Sequence, residues 1–291
     1  MFNLENNTAY NNWRELKLSA YPASPGDLLV NIASLEQVTE SERQQILKIC
    51  NKYNMAVYQT TDHKASTAIF KKFAENFGLY QLDHHMCTEP NGISELTVSE
   101  NPVKEEFIPY SDHPIGWHTD GYYNPPNRRI IGLMLHCVQP AMEGGVNALM
   151  DHEIAYIMLR DKNPDFIKAL MAPDCMTIPA YTVDGVVKRP ECVGPVFLVE
   201  PKYNKLHMRY TARKRNIIWK DDKLVQDAVA YLTELVSSED SPIFTHKLEA
   251  GQGVITNNVL HIRTGFTDDP DNRRLLYRAR FFDRISEVDA E

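Results

Sequence analysis

The sequence predicts a mainly β domain, a sandwich or jelly roll with flanking helices, entered through an N-terminal α/β portion. Three observations predict it. From about residue 92 onward, short apolar runs rich in Val, Ile, Tyr and Phe alternate with turn residues, which is the pattern of strands. Only two intervals in that stretch carry helical spacing, and many short strands with few helices suit a sandwich or jelly roll. Ahead of it the order is strand, helix, strand, helix. No repeat, low-complexity tract or linker divides the 291 residues, a length that fits one large domain. The expected organisation is a single domain over 1–291, with an α/β lead-in over 25–80 and a core over about 92–283 that carries helical insertions.

Taken in order, Asp27–Ile32 reads as the first strand. Thr39 or Ser41 then caps a helix running to about Tyr53, with Ile46, Leu47 and Ile49 between charged positions. Met55–Gln59 is the second strand. Ser66 caps a helix in which Ile69, Phe70, Phe73 and Phe77 keep helical spacing, and Gly78 stops it. The later strands are expected at Ile130–Cys137, Val196–Val199, Leu206–Tyr210, Gly253–Thr256 and Leu275–Phe282. The helical intervals are His152–Met171 and Leu224–Ser237, the second with a stripe of Val225, Ala228, Leu232 and Val236.

The formal charge is −8, which disfavours a polyanion such as nucleic acid or an acidic membrane as the general partner. Five cysteines, an odd number with no C-x-x-C pair, argue against a disulfide framework or a zinc ribbon and for a reducing compartment. The N-terminal residues lack a basic region followed by an apolar stretch, so no secretory signal is expected. No apolar run approaches a membrane span. A cytoplasmic protein with a small-molecule ligand is the expectation. The sequence sets no limit on self-association into a homo-oligomer.

Ten histidines are present, and most have bland readings. His63, His207 and His246 suit surface or hydrogen-bonded roles, and His136 lies inside the apolar run IGLMLHCV. Asp83-His84-His85 and Asp151-His152-Glu153 resemble metal clusters in composition, but adjacent strand residues point to opposite faces. His118-Thr119-Asp120 differs, because positions i and i+2 of a strand share a face. His118 and Asp120 can reach one ion with Thr119 turned away, and Gly121 lets the chain turn at once. His261 ends the strand-like segment VITNNVLH, and Arg274 follows beyond the loop DDPDN, so the two segments suit an antiparallel pair. Beyond the loop, Arg274, Leu276, Arg278 and Arg280 alternate with Arg273, Leu275, Tyr277, Ala279 and Phe281. A solvated edge suits Arg280, whereas an interior holding carboxylate ligands suits Arg274 and Arg278. Two His and one carboxylate form the facial triad of non-haem Fe(II) oxygenases. An Arg nearby can hold a carboxylate bidentately.

The segments GWHTDGYY, LHCVQPAMEGGVNALMD and NNVLHIRTGFTDDPDNRRLLYRARF, in that order, resemble the taurine dioxygenase/TfdA-like branch of the Fe(II)- and 2-oxoglutarate-dependent dioxygenases. The resemblance covers about residues 25 to 283. It implies a distorted double-stranded β-helix, the jelly roll, with helices outside. It implies that His118, Asp120 and His261 bind Fe(II), that Arg274 binds the far carboxylate of 2-oxoglutarate, and that Arg278 contacts an anionic group of the substrate. Asn147 in GGVN stands where many members carry a Thr that assists 2-oxoglutarate binding; an amide can still donate a hydrogen bond. The implied reaction couples O2 and decarboxylation of 2-oxoglutarate, to succinate and CO2, with hydroxylation or desaturation of a small organic substrate.

Two other readings stand beside this one. The same chemistry could act on a protein or nucleic acid, for which the basic run Arg209–Arg215 is the best support. A non-catalytic metal-binding jelly roll is the other, although neither a ligand nor the Arg is missing. Substrate contacts are sought among Tyr110, Asp112, His113, Tyr122, Tyr123 and Arg209 by their nearness to the motifs, with Asp112 or Glu143 as alternative salt-bridge partners for Arg278. The segments Asp83–Pro114 and Tyr181–Pro195 suit lids.

Overall fold

The computed structural model describes every residue except 20, 62–64, 86, 102–103, 105–106 and 288–291. His63 lies outside the described residues. The chain forms two compact units, each assembled from three separated segments: Met1–Tyr21, Gly116–Arg129 and Met150–Ile243 in one, and Pro22–Ile115, Ile130–Leu149 and Phe244–Glu291 in the other.

The second unit is built on a six-stranded sheet in the order Leu29–Ile32, Met55–Thr60, Gln252–Thr256, Gly132–Gln139, Leu275–Phe281, Ser94–Leu96. Its first pair is parallel, because the helix Glu40–Tyr53 returns the chain to the same end. Thr39 and Glu42 form a capping box at the start of that helix, and Asn54 in the left-handed region ends it. The other pairs in the sheet are antiparallel. The helix Thr67–Glu75, capped by Ser66 as expected, and the helix Glu40–Tyr53 supply Ile46, Leu47, Phe70 and Phe73 to a core shared with Tyr58, Met134, Ile255, Tyr277, Ala279 and Phe281. The alternation read along Leu275–Phe281 therefore holds: Tyr277, Ala279 and Phe281 enter this core. Arg278 and Arg280 point the other way by the period of the strand.

Two expectations need correction in this unit. The first strand starts at Leu29, because Pro25–Leu28 is a 3-10 turn locked by the Asp27 carboxylate, which accepts from the amides of Ala23 and Ser24. VITNNVLH is not one strand but parts of two, Gln252–Thr256 and Leu260–Arg263. They break at Asn257-Asn258, where Asn258 takes φ +51°. Its side-chain amide donates to the Ile130 carbonyl, and Asn257 accepts from the Ile285 amide. The chain thereby leaves the six-stranded sheet for a four-stranded one, ordered Phe244–His246, Asn147–Met150, Leu260–Arg263, Ile115–His118. The strands of His261 and Arg278 thus lie in different sheets and do not form the expected antiparallel pair.

The first unit contains the helices Asn7–Leu18, His152–Lys162, Pro164–Leu170 and Lys223–Leu235. It also contains a three-stranded sheet of Cys192–Gly194, Met176–Ile178 and Ile218–Trp219. The single helix expected over 152–171 is two, because Pro164 cannot continue the first and pushes Asn163 to φ −163°, ψ 114°. Asn163 then caps the second helix. Asp151-His152-Glu153 serves the scaffold: Asp151 caps the first of these helices, and His152 meets the Leu206 carbonyl. Lys17 places its ammonium 2.6 Å from both Asp151 and Glu153. Burial works against that charge, but the two carboxylates outweigh it and hold the Lys17 pKa above its ordinary value. The resulting stabilisation is present below the usual lysine range and is lost only as pH rises past the raised pKa. Lys17→Met should cost about 3–5 kcal/mol, as for a broken buried pair, read as a lower denaturant midpoint at neutral pH. No helix among the described residues is long and apolar enough to cross a membrane.

Candidate active site

The strand Ile115–His118 ends at the first expected ligand. Thr119 is fully buried and pairs with the neighbouring segment: its amide donates to the Tyr210 carbonyl, and its hydroxyl accepts from the Tyr210 amide. That pairing turns Thr119 away and leaves His118 and Asp120 on the same side, with His118 Nε2 3.6 Å from Asp120 Oδ1. Asp120 sits two residues past the strand, in a turn where Gly121 takes φ +68°. The His118 Nδ1 lies 2.9 Å from the Gly116 carbonyl, and the His261 Nδ1 lies 2.9 Å from the Val259 carbonyl. A carbonyl only accepts, so each Nδ1 carries the hydrogen and each Nε2 has the lone pair a metal needs. All three residues are buried, and the ligand atoms of His118, Asp120 and His261 lie within 4.8 Å of one another. Two neutral imidazoles and a carboxylate fit Fe(II) with open coordination positions.

A second concentration of charge surrounds Phe266. The guanidiniums of Arg263 and Arg274 lie 4.8 and 4.9 Å from its ring centre. Arg263, Arg274 and Arg278 are all buried. Burial, first, and then the repulsion of Arg274 and Arg278 press the Arg263 pKa below its ordinary value. Burial does the same to Arg274. Among the described residues Arg274 Nη1 has no hydrogen-bond partner, which suits an incoming carboxylate. Its neighbour Arg273 is spent at the surface, 3.5 Å from Glu100. Sequence reasoning passed over Arg263, although it stands two positions beyond His261 on one strand, the spacing that singled out His118 and Asp120. Its side chain donates to the carbonyls of Ser111 and His113.

Arg280 corrects the sequence reading: it is buried and ion-paired to Asp83, not solvated. Its partner lies far away in sequence, so no local pattern reveals the pair. Asn147 is buried and donates through Nδ2 to the Ile262 carbonyl at 3.3 Å. Tyr122 accepts on its hydroxyl from Arg213, and burial raises its pKa. Arg209 is buried and gives its donors to four backbone carbonyls, those of Tyr122, Met176, Gly194 and Cys192. That is a structural employment rather than a substrate-facing one. Tyr110 is also buried, with its hydroxyl donating to the Cys87 carbonyl, while Asp112, His113 and Glu143 are exposed. The expected lid over 181–195 is a hairpin, Tyr181–Val183 with Val186–Arg189. Part of the other, over 83–114, lies outside the described residues.

Residues 19–280 match the model of the taurine catabolism dioxygenase TauD, TfdA family. The chain belongs to the TauD/TfdA family. Like other TauD/TfdA proteins it is an Fe(II)- and 2-oxoglutarate-dependent dioxygenase that uses O2, as the sequence motifs implied. A uridine-5'-phosphate dioxygenase from Streptomyces sp is 33% identical over 249 residues, covering 80% of this chain and 87% of the relative. Among solved structures, a taurine dioxygenase from Burkholderia xenovorans is similar at a TM-score of 0.59 and 15% identity, over 89% of each chain. The non-heme iron oxygenase OrfP in complex with Fe and α-ketoglutaric acid matches at 0.59 and 15%, over 95% of this chain and 92% of its own. At such identities the likeness is one of fold: the TauD/TfdA jelly roll, in this chain formed of open sheets.

Proposed function

We propose that this dioxygenase hydroxylates a small phosphate-bearing substrate of the nucleotide class. The observation that carries this reading is the buried cluster of Arg263, Arg274 and Arg278, which offers more cationic capacity than one dicarboxylate requires. The likeness to a uridine-5'-phosphate dioxygenase supports it. In this reading His118, Asp120 and His261 hold Fe(II). Arg274 seats the far carboxylate of 2-oxoglutarate, assisted by the second amide hydrogen of Asn147. Arg278 meets the substrate phosphate, and Tyr122 borders the substrate. Bound iron supplies the activation of O2 that links decarboxylation of 2-oxoglutarate to substrate oxidation. The chain's own residues set the ligand tautomers, neutralise the two anions and keep the site dry.

The buried, unpaired state of all five cysteines supports a cytoplasmic setting. A nucleic-acid substrate is disfavoured, since Arg209 is internal and Arg213 engages Tyr122. The test is anaerobic binding of Fe(II) and 2-oxoglutarate, followed by succinate formation with a panel of nucleoside monophosphates, their nucleosides and simple acids. Stimulation by the phosphorylated members alone is expected. Equal stimulation by the nucleosides would sink the phosphate assignment. Because Asp120 fills the carboxylate position that halogenases leave to halide, turnover in chloride should add oxygen. A chlorinated main product on mass spectrometry would contradict this.

A further inference from the structure

We propose that Arg209, with Cys192 beside it, is a positioning residue that fixes the turn bearing the ligand Asp120. The inference rests on the reading that His118, Asp120 and His261 hold the metal. Arg209 follows the strand Lys205–Met208 and is buried, and its hydrogen bonds run to backbone carbonyls rather than to carboxylates. Burying a guanidinium is costly. The cost is offset by carbonyls from two places at once. Three belong to the paired strands Met176–Ile178 and Cys192–Gly194. The fourth, that of Tyr122, lies in the turn just after Asp120 and accepts from Nε at 2.7 Å. A rigid planar fork therefore joins the three-stranded sheet to the metal turn.

Cys192 repeats the connection one step further along. Its Sγ donates to the Asn124 carbonyl at 3.0 Å, while its own carbonyl accepts from Arg209. The turn is closed internally by the Asn124 amide donating to the Gly121 carbonyl. The same stretch of chain supports the other side of the motif, where Tyr210 pairs with Thr119 and the Ala212 amide donates to the Trp117 carbonyl. The basic run around residue 209 is thus a brace for the metal motif. Partners that orient first ligands typically change metal affinity by about 10–100-fold when removed.

The experiment is anaerobic titration of the purified full chain with Co(II), following the visible d–d bands, alongside thermal unfolding. Arg209→Lys keeps the charge but loses the fork. It should remain folded, bind Co(II) about tenfold more weakly or worse, and show altered band intensities; Arg209→Met should be weaker still. A folded Arg209→Lys with wild-type affinity and spectrum overturns the proposal, as does a lowered melting temperature with unchanged Co(II) binding. If neither Arg209 variant folds, Cys192→Ala decides: weaker Co(II) binding in a folded protein supports the brace, and unchanged binding refutes it. Asp120→Ala is the control for the underlying reading. Wild-type Co(II) binding by that variant refutes the metal assignment itself, a result distinct from any obtained with Arg209.

Discussion

Asp120→Ala is expected to leave a folded protein that binds Fe(II) far more weakly and yields no oxidised product. The carboxylate is the only anionic member of the triad and lies 3.6 Å from the His118 Nε2. Without it, two neutral imidazoles must hold a dication alone. Each imidazole is also held by its own backbone carbonyl, that of Gly116 or of Val259. Thermal unfolding without metal should therefore stay near wild type, while anaerobic Fe(II) binding and substrate-dependent succinate formation collapse. His118→Ala and His261→Ala should behave alike. Full activity in Asp120→Ala would refute the assignment.

Arg274→Ala is expected to weaken 2-oxoglutarate at least about tenfold. A charge-assisted hydrogen bond contributes about 1.5–3 kcal/mol, and about 1.4 kcal/mol is a factor of ten. Lys should rescue only in part, since it cannot present a fork. Arg273 cannot readily substitute, because it is exposed and engaged toward Glu100. Arg278→Ala should show the complementary pattern, with substrate KM raised much more than the KM for 2-oxoglutarate. Measuring both constants on both variants separates the roles. An unchanged 2-oxoglutarate Kd in Arg274→Ala would move the anchor elsewhere, with Arg263 the first alternative.

Local rules reached the site further than they reached the fold around it. Strand alternation brought out His118 and Asp120 even though Asp120 lies in a turn two residues past the strand, because Thr119 between them still pairs with Tyr210 and carries the pleat on. The same rule applied to Leu260–Arg263 would have found Arg263. The helix Asn7–Leu18 escaped notice because few of its residues are apolar, and much of its attachment is polar, through Tyr10, Arg14 and Lys17 to residues far along the chain. Asn163-Pro164 was a legible break that the apolar spacing across it concealed. The Arg280–Asp83 pair and the carbonyls around Arg209 were not legible at all. Each depends on segments that only tertiary structure makes neighbours. The mistaken pairing of the His261 and Arg274 segments had another origin, a left-handed Asn258 that diverts the chain between sheets.

The arginines around Phe266 bear on how long the protein lasts as well as how fast it works. Arg263, Arg274 and Arg278 are all buried, and the charges of Arg274 and Arg278 both work against that of Arg263. A dicarboxylate that enters relieves this repulsion only in the folded state. By mass action, a ligand at a hundred times its Kd adds about 2.7 kcal/mol to the folded side, a large share of the margin by which an ordinary domain stays folded. A 2-oxoglutarate seated on Arg274 would thus be a stabiliser as well as a reactant, and its depletion would lower both turnover and the heat resistance of the unit that carries His261.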